Sequence, residues 1–476
     1  MSTAQFPPAG EKAERLVSLD LFRGLTIAAM VMVNNPGDWG KMFSPLEHAS
    51  WDGWTPTDFI FPFFLFIVGV AMTYSFDKRL SAGFSKLRLF EQVVRRTIIL
   101  FLLGLIGYGF PNIRVILPHI IFIVGLEFFY KNEPLFDFNS APKAMRNKII
   151  GIAGMVAAVA FFIVDFGHFQ GRVTGIYDWK HAFPLTNVIT DGEGNQIGTE
   201  LRLPGVLQRI ALCYFFCSLI MFFTRLRGRI AWVIALTVGY YLIMKGVHAP
   251  AGFEIASTGG SPGAPDDAPF RGALNDFIDG KVFGAHIYGE RPDPEGLLST
   301  LTAMATTLLG VLTGTLLLSK QTREHKALWM MVGGAGLMLL GLVVNEFFPI
   351  NKKIWSSAFV FFMGGWALWI LSICYTLADV FMYRKWAAPF LVFGTNAIFV
   401  FVGSGIIGRM LLATKINMGT AEAAKWVGLK TLFYKNVIAK IFTNPELASC
   451  MYSVIYIIFW LALTYPLYRK KIFLKI

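Results

Sequence analysis

EHASWDGWTPTDFIFPFFLFIVG, residues 47–69, carries a histidine, two aspartates and two tryptophans directly before an apolar run. From Phe59 onward no charged residue appears until Asp77. A hydrocarbon core about 30 Å thick needs about 20 helical apolar residues to cross it. The run therefore reads as a membrane-spanning helix, and the block before it as a loop at one end of that helix. The question it raises is whether His48 belongs to an ordinary connecting loop or is a reacting group at a membrane surface.

The rest of the chain agrees with a membrane protein. Of 476 residues, 55% are hydrophobic and only 15% charged, whereas soluble domains carry about 25% charged residues. The formal charge of +13 is explained by the positions of the basic residues, and nucleic-acid binding is not expected. Four cysteines are too few for a disulfide framework. Cys213 and Cys217 lie one helical turn apart, Cys374 lies in another apolar segment, and no loop carries a Cys/His cluster. No metal site is expected.

Runs of spanning length occur near 17–36, 58–76, 93–110, 114–130, 148–166, 205–223, 229–247, 297–318, 327–347, 354–376, 387–411 and 450–468. The fold expected is an all-α polytopic membrane protein of about twelve transmembrane helices. Residues 1–16 read as a disordered tail and 17–476 as one transmembrane domain. Alternate connections are basic: DKRLSAGFSKLRLFEQVVRR, KNEPLFDFNSAPKAMRNK, RLRGR, KQTREHK and YRKW, with YRKKIFLKI at the end. Lys and Arg accumulate in cytoplasmic connections, which places both termini in the cytoplasm and loops 37–57, 167–204, 248–296 and 412–449 outside. The last of these is discordant, since it holds Lys415, Lys425, Lys430, Lys435 and Lys440. An amphipathic helix lying on the surface would account for it.

This orientation sends polar groups from separate chain regions to one outer face. Asn34 ends the first helix, His48 lies in the loop, and Asp58 opens the second helix. Gln208 and Arg209 sit one turn inside the sixth, Asp293 and Glu295 precede the eighth, and Asn351, Lys352, Trp355 and Ser356 precede the tenth. Ionisable groups at membrane depth are costly and usually line cavities or pair with each other. Lys352 and Ser356 read equally well as ordinary helix-end residues. Arg209 does not, because a guanidinium a turn deep in an apolar helix needs a partner. Asn396, midway along the eleventh run, reads either as a bond to a neighbouring helix or as the lining of a passage.

In order along the chain, SLDLFRGLTIAAMVMVN, HASWDGWTPTDFIFPFFLFIVG, LPGVLQRIALCYF, DPEGLLST, NKKIWS, TNAIFVFVG and YRKKIFLKI resemble the heparan-α-glucosaminide N-acetyltransferase family. The resemblance runs from Ser18 to Ile476, and its most specific parts are the HASW block and PGVLQR. It implies a transmembrane enzyme that carries acetyl from cytosolic acetyl-CoA to the amine of a glucosamine-type sugar across the membrane. It also implies His48 as the essential histidine, Asp58 as the acidic residue ten positions on, and Asn34 as the asparagine of the first block. A homodimer and, for bacterial members, the cytoplasmic membrane come with it. Three departures bear on the acceptor: the luminal N-terminal domain and extra first helix of the lysosomal enzymes are not expected here, a helical pair, 114–130 and 148–166, is inserted before PGVLQR, and Ser404 stands where the lysosomal form has a histidine.

The chemistry suits these residues. An amine attacking a thioester must be neutral, and histidine accepts protons near neutral pH. A neighbouring carboxylate, Asp58 in preference to Asp52, would fix the imidazole tautomer. Asn34 or Arg209 would donate to the developing oxyanion. Direct transfer and transfer through acetyl-His48 both remain open. Arg23, Lys78 and Arg79 are candidate contacts to the phosphates of acetyl-CoA, although Asp20 and Arg23 at i, i+3 also suit a pair with each other, and positive-inside anchoring explains Lys78 and Arg79 as well. Gln208, Arg209, Glu295, Asn351, Trp355 and Asn396 are candidate substrate contacts. The competing class is an amino-sugar transporter. Against it, the loop after the second helix lacks the G-x-x-x-D-R-x-G-R-R pattern of the major facilitator group.

Overall fold

The structure, a computed structural model, describes residues 16–110, 113–130, 142–173, 184–190, 196–200, 202–250, 272–284, 286–288, 292–419 and 426–474. The expected disordered tail falls outside these residues save for Leu16, as does much of loops 167–204 and 248–296. All twelve apolar runs fall on helices: α1 (Val17–Asn34), α2 (Ile60–Ser81), α3 (Lys86–Gly109), α4 (Ile113–Tyr130), α5 (Pro142–Val173), α6 (Val206–Phe223), α7 (Leu226–Gly246), then, after the short α8 (Ala273–Phe283), α9 (Thr300–Leu317), α10 (Arg323–Asn345), α11 (Ser357–Tyr375), the pair α12 (Ala388–Thr395) and α13 (Ala397–Ala413), and, beyond the short α14 (Leu429–Phe433) and α15 (Ala439–Ile441), α16 (Pro445–Arg469). Among the described residues, strands are confined to two antiparallel hairpins, Pro184–Thr190 with Gln196–Glu200 and Lys415–Asn417 with Trp426–Gly428.

Eight described helices are long and apolar enough to cross a membrane. The pair α12/α13 makes a ninth if its two arms, bent by 70°, form one span. α3, whose first half carries Lys86, Arg88, Glu91, Arg95 and Arg96, is not among the eight. The architecture is thus that of a helical membrane protein.

The chain packs as two compact units. The first comprises residues 1–75, 229–237 and 305–475. In it, α1 begins with its Val17 and Ser18 amides donating to the Asp379 carboxylate, at 3.3 and 3.0 Å. A carboxylate at a helix N-terminus satisfies orphan donors and meets the positive end of the dipole. α2 and α9 touch backbone to backbone: a Cβ on Gly69 would overlap the Thr307 carbonyl, and one on Gly310 the Phe66 carbonyl. Glycine at both crossings lets α2, and the residues that lead into it, sit hard against α9. Ile27, Met30, Val31, Phe393, Val400, Tyr456 and Trp460 form the core between α1, α12, α13 and α16.

The second unit comprises residues 76–228 and 238–304, with Ile476. α3 packs on α4 and α6, and α4 on α5. The turn leading into α9 and the helix α8 bring a set of buried polar residues, treated below, against α6.

Candidate active site

The loop before α2 is built around Asp58. Residues Pro56–Phe59 form a single 3₁₀ turn capped by Thr55. Asp58, third in that turn, turns its carboxylate back so that Oδ2 accepts the amides of Thr55 (3.0 Å) and Ala49 (3.1 Å). This is the reciprocal half of a capping box. The carboxylate's other oxygen lies 2.7 Å from His48 Nδ1 and 3.4 Å from Lys352 Nζ. One side chain thus both caps the turn leading into α2 and faces His48.

The geometry assigns the tautomer. A carboxylate only accepts, so Nδ1 carries the proton and donates to Asp58. Nε2 is then the lone-pair nitrogen, and Lys352 Nζ lies 3.1 Å from it. The side chain of Asp58 is fully buried, that of Lys352 is 16% exposed, and that of His48 is 51% exposed. The imidazole is thus half-exposed, with its Nε2 beside the Lys352 ammonium, while its orienting carboxylate is shut away from water.

Lys352 is delivered by a tightly held connection between α10 and α11. Asn351 Nδ2 donates to Asp52 Oδ1 (3.1 Å), and its Oδ1 accepts the Ile354 amide (3.1 Å). The Asn351 amide donates to Ser356 Oγ (3.1 Å), which also caps α11 by accepting the Phe359 amide. The Gly53 amide donates to the Ile350 carbonyl (2.7 Å), tying the two loops together, and Gly53 takes φ +94° there. Trp355 holds φ +50°, a conformation bulky side chains rarely adopt and that persists only where the surroundings enforce it. Its indole is buried edge-on between Phe61 and Phe359 and donates to Thr306 Oγ1 (3.2 Å). Trp355 and Asn351 thus work through the backbone that carries Lys352, and Asp52 belongs to Asn351 rather than to His48.

The second unit holds another polar group. Arg202 is buried between the carboxylates of Asp293 and Glu295, with the Tyr288 ring 4.4 Å from its guanidinium carbon and the Tyr108 hydroxyl 3.2 Å away. Burial works against its charge, but the two carboxylates outweigh it and hold the group well above the usual arginine range. Arg209 is buried in α6 and donates to the Gly296 carbonyl (2.8 Å) and to Ser299 Oγ. The partners its depth required are thus backbone and hydroxyl of the DPEGLLST stretch. Gln208 is buried against Gly104 and Gly205. Asp279 of α8 is buried against Gly296, with one oxygen accepting the Leu297 amide at 2.8 Å. Burial pushes its carboxyl up to about 7, with Asp293 and Asp276 adding to the rise and the Leu297 amide and Arg209 opposing it.

The remaining predicted residues have surroundings of their own. Asn34 is exposed at the last position of α1, and it is Asn35 that turns inward, donating to the Val31 carbonyl. Asn396 sits buried at the break between α12 and α13, donating to the Ile472 carbonyl (3.2 Å) and accepting the Leu474 amide (2.9 Å). Its amide clamps the chain's last residues. Arg23 pairs with Asp20 at 3.1 Å and donates to the Gly394 carbonyl at 3.2 Å. Lys78 is exposed at the end of α2, and Arg79 is half-buried.

Three residues of these clusters escaped the sequence reading. Lys352 was weighed as an ordinary helix-end lysine, although its place between Asn351 and Trp355 was the available signal. Arg202 lies two residues before the proline of PGVLQR, with nothing local to announce its partners some ninety residues on. Asp279 lies on a short helix that no apolar run marks.

Comparison with known proteins adds the following. Residues 15–108 match a family model described as "Heparan-alpha-glucosaminide N-acetyltransferase, catalytic". The heparan-alpha-glucosaminide N-acetyltransferase of Mus musculus is 26% identical over 490 residues, covering 98% of this chain and 61% of the relative. That of Homo sapiens is 26% identical over 489 residues, covering 97% of this chain and 60% of the relative. The chain therefore spans about three fifths of the length of these curated relatives.

Proposed function

As a member of the heparan-α-glucosaminide N-acetyltransferase family, this chain, we propose, is a transmembrane acyltransferase that moves acetyl from acetyl-CoA to the amine of a glucosamine-type sugar. The observation that supports this most directly is the His48–Asp58–Lys352 cluster, with Nδ1 2.7 Å from a buried carboxylate and Nε2 3.1 Å from Lys352 Nζ on a half-exposed imidazole. Histidine so held can take a proton from an attacking amine, a contribution typically of 10²–10⁴ in rate. The Asp58 carboxylate stabilises the imidazolium as it forms. Lys352, whose ammonium reaches both imidazole nitrogens, supplies positive charge where a tetrahedral oxyanion develops.

In this reading the nitrogen of the neutral sugar amine attacks the thioester carbonyl. As the Lys352 ammonium turns from His48 Nε2 to the developing oxyanion, the amine's proton passes to Nε2, the C–S bond breaks, and the CoA thiolate leaves and takes up a proton. Lys352 takes over the oxyanion-stabilising role for which Asn34 and Arg209 had been candidates. Acetyl-CoA docks from the cytoplasmic side, where Arg23, Lys78 and Arg79 are the proposed phosphate contacts. The sugar is met from the outer face of a bacterial cytoplasmic membrane, with both termini inside, Gln208, Arg209 and Glu295 among its proposed contacts, and a homodimer as the assembly.

The test is acetyl transfer from labelled acetyl-CoA to glucosamine by the purified protein in lipid. Wild type is expected to transfer, and His48→Ala to lose nearly all transfer. Transfer undiminished in His48→Ala would overturn the role of His48. Sugar uptake into vesicles without acetyl-CoA, and no transfer, would instead make the protein a transporter.

A further inference from the structure

The connection from α13 to α16 runs from Thr414 to Asn444 and plays no part in the chemistry above. It joins the ends of two apolar helices, and it packs back on both. The Leu429 amide donates to the Thr414 carbonyl at 2.8 Å. Tyr434 and Ile438 are buried against Ala448 and Tyr452, within the first turns of α16. The segment therefore packs against the start of α16.

Its two faces are chemically distinct. Lys430, Tyr434 and Ile438, spaced by four, are buried. Lys430 is turned in beneath the Tyr452 ring, 5.4 Å away. Leu429, Phe433, Val437 and Ile441, also spaced by four, are exposed by 36%, 41%, 41% and 65%. Trp426, just before them, is 61% exposed. Residues 426–445 contain Lys430, Lys435 and Lys440 and no acidic residue, and Lys435 and Lys440 are exposed. A continuous apolar stripe is costly in water. At the end of a spanning helix it adjoins the boundary between lipid headgroups and acyl chains. Amphipathic helices settle there apolar face down, tryptophan favours that level, and lysines beside it attract anionic headgroups.

We infer that residues 426–441 are an in-plane membrane-surface element. The Trp426–Leu429–Phe433–Val437–Ile441 face enters the headgroup–acyl boundary, and Lys435 and Lys440 meet anionic phospholipid. This also resolves the lysines that ran against the charge asymmetry of the other loops. They serve the bilayer surface rather than orientation. The partner is a lipid surface, not a second copy of the chain.

The test uses the full chain in nanodiscs of phosphatidylcholine, with and without phosphatidylglycerol. Cys450→Ser removes the one partly exposed thiol, since Cys213, Cys217 and Cys374 are buried. Val437→Cys, Ile441→Cys and Asn436→Cys are each labelled with an environment-sensitive dye. Positions 437 and 441 are expected to emit blue-shifted and to be quenched by doxyl lipid, while position 436 emits as in water. Phosphatidylglycerol is expected to deepen the shift at 441, and Lys435→Glu with Lys440→Glu to abolish that gain. Water-like emission at both 437 and 441 overturns the inference, and equal emission with and without phosphatidylglycerol overturns its anionic-lipid part. Disulfide cross-linking between two copies of the unlabelled Ile441→Cys protein, without lipid quenching of the labelled one, assigns the face to a second chain.

Discussion

Replacing Asp58 by asparagine separates the orienting role of this side chain from its structural one. In the native loop one carboxylate oxygen accepts the Ala49 and Thr55 amides, and the other faces His48 Nδ1 and Lys352 Nζ. The asparagine carbonyl can keep the two backbone amides, which places its NH₂ group against Nδ1. An amide nitrogen only donates, so Nδ1 must become the lone-pair nitrogen and the proton moves to Nε2. The base is then turned the wrong way, and buried orienting carboxylates of this kind are worth up to about 10⁴ in turnover. Asp58→Asn is therefore expected to lower kcat for acetyl transfer by about 10²–10⁴, with little change in the KM for acetyl-CoA. Lys352 also loses its counter-charge at 3.4 Å. That attraction is about 1 kcal/mol at the dielectric of water and about 5 kcal/mol at an effective value near 20, and a partly exposed pair falls toward the lower figure. Stability should accordingly fall by about 1–2 kcal/mol. Asp58→Ala, which also strips both backbone amides of their acceptor, should lose about 1–3 kcal/mol more for a similar kcat. An Asp58→Asn protein that turns over within about threefold of wild type would refute the tautomer argument, since general-base catalysis alone is worth more than that.

Lys352→Met is expected to lower kcat by about 10²–10³, the usual cost of one oxyanion donor, and Lys352→Arg to restore part of it. Equal rates in Met and wild type would remove Lys352 from the mechanism. Asp279 offers a test of pH dependence. Its carboxyl is raised to about 7 by burial, so between its unfolded range near 4 and about 7 the folded protein binds the extra proton, and stability falls as pH rises through that window. Asp279→Asn should therefore unfold at a higher temperature than wild type at pH 8, by an amount worth a few kcal/mol at most, and at nearly the same temperature at pH 4. A difference that is constant with pH would count against a protonated native Asp279. Gly310→Ala places a methyl group on the Phe66 carbonyl and should cost about 1–3 kcal/mol, read as a lowered midpoint of thermal unfolding in detergent. An unchanged midpoint would show that the α2–α9 crossing yields.

The helices were legible because each apolar run is a local property of the chain, and every run is helical in the structure. Their limits as spans were less so. The run at 387–411 reads as one helix, yet it breaks at Asn396, because that side chain serves the backbone of residues 472–474 rather than a neighbouring helix. His48 and Asp58 were legible as a pair because the capping turn that fixes Asp58 lies ten residues from the histidine it orients. Lys352 was not, because what makes it different from any other helix-end lysine is a strained tryptophan and an asparagine–aspartate bond to a loop some three hundred residues earlier. Sequence reveals the residue types that chemistry requires wherever spacing along the chain sets their geometry. It hides them where a distant segment does the positioning. The pairings of Lys352 with His48, of Arg202 with its carboxylates and of Asn396 with residues 472–474 are all of that second kind. In each, an apolar or turn-forming local context disguises a polar contact made across the fold.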